Sequence, residues 1–234
     1  MSATNKLGFI GLGVMGEPMC RNLAQKTGQS VIAYDTQPEP IRNLGALVTP
    51  AASVAEVMRA SEIIFLSLPS GEIVAEVARK PDGLLANVRA GQIIVDLSTS
   101  PVELTRELGE EFNALGATLI DAPVARTRAA AEAGTLSVMV GGTSQHFDRI
   151  RPLIACFASE ITLCGPLGAG QITKILNNMV LFETVVALAE ARAIARRAGV
   201  DPRALFETLS LGSADSFALR NHGLKAMIPG EFPE

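Results

Sequence analysis

The chain has no tryptophan, one tyrosine and two histidines, and its 20 lysines and arginines are outnumbered by 24 aspartates and glutamates. Nucleic-acid surfaces combine clustered positive charge with aromatic stacking platforms, so a formal charge of -4 and scattered arginines argue against one. The three cysteines, Cys20, Cys156 and Cys164, are odd in number and show no CxxC spacing. With only His146 and His222 beside them, neither a zinc site nor a disulfide framework is expected, and free core thiols are the simpler reading. No run of eighteen uncharged apolar residues occurs, because Glu183 and Glu190 interrupt the stretch after Asn178, so no membrane span is expected. The opening MSATNKLGFIGLG shows no basic region followed by a cleavable apolar segment; a cytoplasmic protein is the default expectation.

Apolar residues are plentiful. At 48% of 234 residues, they suffice for the core of one large domain or two modest ones. LGFI (7–10), VIAY (31–34), IIFLSL (63–68), IIVDLS (93–98) and ATLIDAPV (117–124) read as strands, with SVMVGG (137–142) and ITLCG (161–165) following. Helical patterns lie between them, at 17–26, 41–44, 53–59, 72–77, 102–115 and 147–157. Short strands with little internal polarity suit a mostly parallel sheet covered on both faces, and right-handed crossovers make it doubly wound and Rossmann-like. After GPLGAG (165–170) no strand pattern returns. One helix is expected from Gln171 to about Ala198, then a shorter one after Asp201, which caps it while Pro202 fills its first position. The expected division is residues 1–165, a nucleotide-binding domain, and 166–234, an incomplete all-helical one.

KLGFIGLGVMGEPMC carries GxGxxG as Gly11, Gly13 and Gly16, after a strand and opening a helix. In that setting Gly11 permits the tight turn, Gly13 leaves room for a pyrophosphate and Gly16 lets helix and strand pack closely. The unpaired amides along Gly11, Leu12, Gly13, Val14, Met15 and Gly16 are the candidate phosphate contacts. The bland alternative is a plain glycine turn. Asp35 ends the second strand, 19 residues past Gly16, where an acid accepts hydrogen bonds from the adenosine ribose. It would repel a 2′-phosphate, and DTQPEP offers no arginine to attract one, so NAD is expected over NADP. FAD shares the glycine pattern. Leu68, Pro69 and Thr99 follow the third and fourth major strands, where ligands of open parallel sheets sit.

Lys174 and Asn178, four residues apart, share a helix face, and Asn177 lies near it. The glycines just before let this face approach the other domain closely, so Lys174 is expected to enter an interdomain cleft. Alcohol oxidation needs a group that takes the hydroxyl proton as hydride leaves, and an amine of lowered pKa meets that need. Asn178 can orient both amine and substrate hydroxyl. A solvated lysine at a helix edge is the competing account. His146, in GGTSQHFDRI, reads as structural.

Taken together, FIGLGVMGEPM, FLSLPS, VDLSTSP, DAPVARTRAAAEAGTLSVMVGG and GPLGAGQITKILNNM, spread over residues 9–179, resemble the β-hydroxyacid dehydrogenase family. That family includes 3-hydroxyisobutyrate dehydrogenase, tartronate semialdehyde reductase and 6-phosphogluconate dehydrogenase. The resemblance implies a Rossmann-like domain joined to a helical one that often dimerises. It implies a catalytic lysine at Lys174, a substrate-binding asparagine at Asn178, and cofactor contacts at Gly11–Gly16, Asp35, Leu68 and Thr99. The implied activity is NAD-dependent hydride transfer to or from a small acidic β-hydroxy compound or semialdehyde.

Two departures stand out. Many relatives have Ser-Gly-Gly after DAPV, where this chain has Ala125-Arg126-Thr127. A guanidinium forks onto a carboxylate or sulfonate, which makes Arg126, with Thr127, the candidate for the substrate's anionic group. The Val-x-Arg-Thr version is similar to that of 3-sulfolactaldehyde reductases; a surface residue paired with a nearby acid is the alternative. Relatives also continue past the point where AMIPGEFPE ends this sequence, so the chain is expected to be C-terminally truncated, with much of the 171–195 face exposed. Dimerisation through that face is expected, and a catalytically impaired dinucleotide-binding protein is the runner-up to an active enzyme.

Overall fold

The computed structural model describes residues 6–232. Among them the strands are β1 (Leu7–Ile10), β2 (Val31–Tyr34), β3 (Thr49–Pro50), β4 (Ile63–Leu66), β5 (Ile93–Asp96), β6 (Thr118–Asp121), β7 (Val124–Ala125), β8 (Leu136–Gly141) and β9 (Ala158–Gly165). The helices are α1 (Gly16–Lys26), α2 (Pro38–Leu44), α3 (Val54–Ala60), α4 (Gly71–Arg79), α5 (Leu84–Asn87), α6 (Val102–Ala114), α7 (Arg128–Ala133), α8 (Ser144–Ile154), α9 (Ala169–Arg197) and α10 (Pro202–Leu209). One sheet runs in the order β3-β2-β1-β4-β5-β6-β8-β7, with β9 on β8. From β3 to β6 every pairing is parallel; β8 is antiparallel to β6 and β7. The chain leaves β1 toward β2 and later returns to its other side as β4, creating a topological switch point at the carboxyl ends of these two strands.

β1, β4 and β5 are buried along their whole length, so both faces of the sheet are covered. Alternation divides them cleanly: Leu7, Phe9, Ile63 and Phe65 join one core with Met19, Leu23 and Phe157. Ile10, Ile64, Leu66 and Ile94 join the other, with Val57, Met58 and Phe112. Phe9 stacks on Phe65 at 6.0 Å between centroids, and Phe157 meets Phe65 edge-on at 6.1 Å.

The expected strand over 117–124 breaks in two. Pro123 has no N–H for a ladder, and after it β7 turns to pair antiparallel with β8. The alanine-rich segment after Arg126 forms α7, closed by Gly134 in the left-handed conformation.

The chain divides into two compact units, Met1–Lys174 and Ile175–Glu234, and the division falls inside α9. In the second unit Leu188, Phe206, Ala218 and Leu219 form a small core, joined by Leu181, Val185 and Leu224. Burying a side chain such as Phe206 stabilises by about 1.5–3 kcal/mol. Asp201 caps α10 by accepting from the N–H groups of Arg203 and Ala204, as its position before Pro202 suggests. A π-helical segment, Leu219–Met227, completes this unit and has no counterpart in the sequence reading. Leu176, Met179, Val180, Phe182 and Val186 of α9 stand exposed. By length and composition alone α9 could cross a membrane, with a mean hydropathy of 1.4 over its most apolar stretch; Leu181, Val185 and Leu188 nevertheless pack in a helix-on-helix core.

Candidate active site

The three glycines of the first turn do three different jobs. Gly11 sits at φ +91°, and a Cβ there would strike the Ser67 carbonyl. A Cβ on Gly16 would strike the Gly11 carbonyl, so α1 can start this close to β1 only with glycine. A Cβ on Gly13 meets nothing within 4 Å. Its freedom from protein contact leaves open space where a ligand phosphate would approach the backbone. Glu17 N–H donates to the Gly13 carbonyl at 3.1 Å, closing the first helical turn. The amides of Gly13, Val14, Met15 and Gly16 precede that bond and have no acceptor within the helix.

These residues open onto a cavity of about 800 Å³ at the switch point. It is lined by Gly11, Gly13, Val14, Met15 and Gly16 on one side, by Tyr34, Asp35 and Thr36 after β2, by Ser67, Leu68 and Pro69 after β4, and by Ser98 and Thr99 after β5. Ile73, Glu76 and Val77 of α4, with Lys80 just past its end, add a wall that sequence reasoning missed. Small-molecule sites run to ~300–1,000 Å³, so the space suits a cofactor. The cavity brings together every expected cofactor contact except Leu12. Leu12 is a correction: its side chain is buried in the core, and its N–H donates to Asp35 Oδ2 at 2.5 Å instead of facing the cavity. Asp35 Oδ1 accepts from Gln37 N–H at 2.8 Å. The carboxylate thus braces the glycine turn, and each oxygen retains acceptor capacity toward the cavity that Asp35 lines.

Behind the Ser98–Thr99 wall lies a buried polar network that the sequence did not suggest. Asp96 and Asp121 stand side by side in the register of β5 and β6, at the ends of IIVD and TLID. Asp96 accepts from Ser98 N–H at 2.9 Å and Ser100 Oγ at 3.1 Å. Asp121 accepts from Gly168 N–H at 2.7 Å and Gln171 N–H at 2.8 Å, capping α9 from a different strand. Burial pushes the Asp96 carboxyl up to about 6 against the pull of its Ser98 and Ser100 hydrogen bonds, and the Asp121 charge adds to the rise. Asp121 is raised for the same reason, burial.

Lys174 follows in the second turn of α9, half-buried, and burial holds its ammonium below the usual lysine range. It does not itself line the cavity; it stands three residues beyond Gln171, whose amide is bonded to the Ser98 and Ser100 backbone on either side of Thr99. Asn177 and Asn178 belong to the second unit, exposed and half-buried respectively, with the Asn177 amide donating to Asn178 Oδ1 at 3.4 Å. Arg126 does not aim at open space. Its guanidinium donates to the Thr135 carbonyl at 2.5 Å and Ser159 Oγ at 3.1 Å, and its backbone holds φ +87°, a conformation that favours glycine. Among the described residues no acid forms the ion pair with it that the alternative reading expects. Thr127 is exposed at the head of α7. His146 shares a hydrogen bond with Thr143 Oγ1 at the start of α8, a capping arrangement.

A family model described as the NAD binding domain of 6-phosphogluconate dehydrogenase matches residues 6–165. Another, described as the NAD-binding of NADP-dependent 3-hydroxyisobutyrate dehydrogenase, matches residues 168–234. The chain belongs to the β-hydroxyacid dehydrogenase family. It is 38% identical over 216 residues to the mitochondrial 3-hydroxyisobutyrate dehydrogenase of Mus musculus, a match taking in 91% of this chain and 64% of that protein. It is 39% identical over 220 residues to the 2-hydroxy-3-oxopropionate reductase of Escherichia coli (strain K12), covering 93% of this chain and 74% of that one. Among solved structures, Mycobacterium tuberculosis 3-hydroxyisobutyrate dehydrogenase with L-serine superposes at a TM-score of 0.88 and 31% identity, over 97% of this chain and 78% of that chain. The chain therefore spans less than two thirds of the mouse enzyme's length. A nicotinamide dinucleotide is the cofactor of the family's first domain, and the open glycine turn, free helix amides and Asp35 fit it.

Proposed function

We propose that this β-hydroxyacid dehydrogenase family member oxidises or reduces a small β-hydroxy acid with NAD, with Lys174 as the proton-transfer group. The observation that carries the reading is a half-buried amine, held below the usual lysine range by burial, three residues beyond the Gln171 amide that is hydrogen-bonded to the Ser98 and Ser100 backbone of the cavity wall. The amides of Gly13–Gly16 hold the pyrophosphate at the positive end of α1. Asp35 holds the ribose hydroxyls and, as an anion, disfavours a 2′-phosphate, which selects NAD over NADP. When bound, the nicotinamide supplies the hydride donor or acceptor. In the oxidative direction neutral Lys174 Nζ takes the proton from the substrate hydroxyl; in the reductive direction its ammonium returns a proton to the nascent alkoxide. Partial desolvation makes the neutral amine accessible nearer neutral pH, so the amine serves both directions. Asn178, one helical turn on, orients the hydroxyl.

The substrate is a small carboxylate of the 3-hydroxyisobutyrate class. Tartronate semialdehyde and 3-sulfolactaldehyde are the alternatives, the latter weakened because Arg126 is engaged with Thr135 and Ser159. The exposed apolar side chains of α9 favour association of two copies, checked by sedimentation. The same exposure favours, as a second reading, a protein that binds dinucleotide without turnover.

Absorbance of the reduced nicotinamide during incubation with each of the three substrates decides between these readings. Turnover in the wild type with loss of at least ~10²-fold in Lys174→Ala supports catalysis. Tight NADH binding with no turnover in either protein supports the second reading. Asp35→Ala should shift the NAD-to-NADP preference toward NADP.

A further inference from the structure

We infer that Gln171 is a positioning residue whose buried side chain couples the Lys174 turn of α9 to the Thr99 wall of the cofactor cavity, with Asp121 holding it in place. The inference rests on the reading of that cavity as a cofactor site and of Lys174 as the proton-transfer group.

Gln171 has no exposed surface, and both ends of its amide are committed. Nε2 donates to the Ser98 carbonyl at 2.8 Å, and Oε1 accepts from Ser100 N–H at 3.1 Å. These two bonds bracket Thr99. The Gln171 backbone is itself fixed, because its N–H and that of Gly168 both end on the Asp121 carboxylate. A Cβ on Gly141 or Gly170 would collide with that carboxylate, so two glycines are what let α9 reach it. The neighbouring wall is tied in too: Leu68 N–H donates to Ser98 Oγ at 2.9 Å. The loops after β4 and β5, the end of β6 and the start of α9 are thus joined by one largely buried hydrogen-bond network.

A hydrocarbon of the same size would fill the space but leave the Ser98 carbonyl and Ser100 N–H unpaired, so the amide serves registration beyond packing. Lys174 lies three residues further, a rise of ~4.5 Å on the same side of the helix. Its distance from anything bound at Thr99 is accordingly set by Gln171. Residues 168–174 line no part of the cavity, and this network is the hydrogen-bonded route that joins their backbone to its wall.

Hydrogen exchange of the amides at 168–174, with and without saturating NADH, tests the coupling in the wild type, Gln171→Glu and Gln171→Leu. The glutamate keeps the acceptor for Ser100 but sets an oxygen against the Ser98 carbonyl; the leucine removes both bonds. In the wild type NADH should slow exchange at 168–174 at least about fivefold. In both variants the slowing should fall below about twofold, while protection of Gly11–Gly16 by NADH persists. Turnover should lose at least ~10-fold in kcat with the cofactor KM changed less than about threefold, as expected when only the reacting geometry is disturbed. Undiminished protection of 168–174 in a folded Gln171→Leu overturns the coupling. So does a wild type in which NADH protects the glycine turn but not 168–174; this comparison decides alone if neither variant folds. NADH protecting neither segment sinks the cofactor reading and the coupling together. Full turnover in Lys174→Ala sinks only the proton-transfer role, because exchange still decides the coupling.

Discussion

Two helix starts in this molecule carry the same partial positive charge and use it in opposite ways. At α1 the residues Gly13–Gly16 line the cavity, and a Cβ added to Gly13 would meet no protein atom within 4 Å. At α9 the equivalent donors are already taken: the Gly168 and Gln171 N–H groups end on the buried Asp121 carboxylate. The first arrangement leaves its donors without a carboxylate from the fold. The second supplies its own anion and so converts a helix start into a fixed support, from which Lys174 is displayed. The macrodipole is therefore no guide to function by itself; what decides is whether the fold has put a carboxylate there.

The difference also explains what could be read in advance. Gly11, Gly13, Gly16 and Asp35 were legible because each acts within a short span whose spacing encodes the strand, turn and helix. The Leu12 exception shows the limit of that reading, since its amide turns inward to Asp35, a partner that only the folded turn brings near. The α9 support was not legible: Asp121 and Gln171 are 50 residues apart, and Gln171 and Ser98 are 73 apart. An aspartate ending an apolar strand in both IIVD and TLID was the available signal, as charged residues are rarely buried without partners. The partners of Arg126 were hidden for the same reason, because Thr135 and Ser159 reach it only through the pairing of β7, β8 and β9.

The comparison can be broken most forcefully at Asp121. Asp121→Ala strands two buried N–H groups, and urea unfolding should show a loss of about 2–5 kcal/mol. A loss below about 1 kcal/mol would mean that α9 is held by packing instead. Gly16→Ala comes next. Its Cβ is driven into the Gly11 carbonyl, so stability should fall by about 1–3 kcal/mol and NADH affinity should fall with it.

A smaller effect concerns pH. The Asp96 carboxyl titrates at about 6 in the folded chain, above its unfolded value. The folded state then binds the proton more readily, so this contribution to stability is full below the unfolded pKa and is lost as pH rises through about 6. Unfolding free energy should rise by roughly 1–3 kcal/mol as pH is lowered from about 7 to about 5, before other groups reverse the trend. Asp96→Asn should flatten that rise without abolishing it, because Asp121 is shifted in the same direction. An identical pH profile in the variant would show that Asp96 is not the group responsible.

On the proposed function, the space beside Gly13 belongs to a dinucleotide. Fluorescence titration of NADH into the wild type and Gly13→Val tests it most directly, since a Cβ at that position meets no protein atom within 4 Å. Saturable binding in the wild type, weakened at least ~10-fold in the variant with the melting temperature unchanged, is the predicted result. Equal affinity in the two proteins would contradict it.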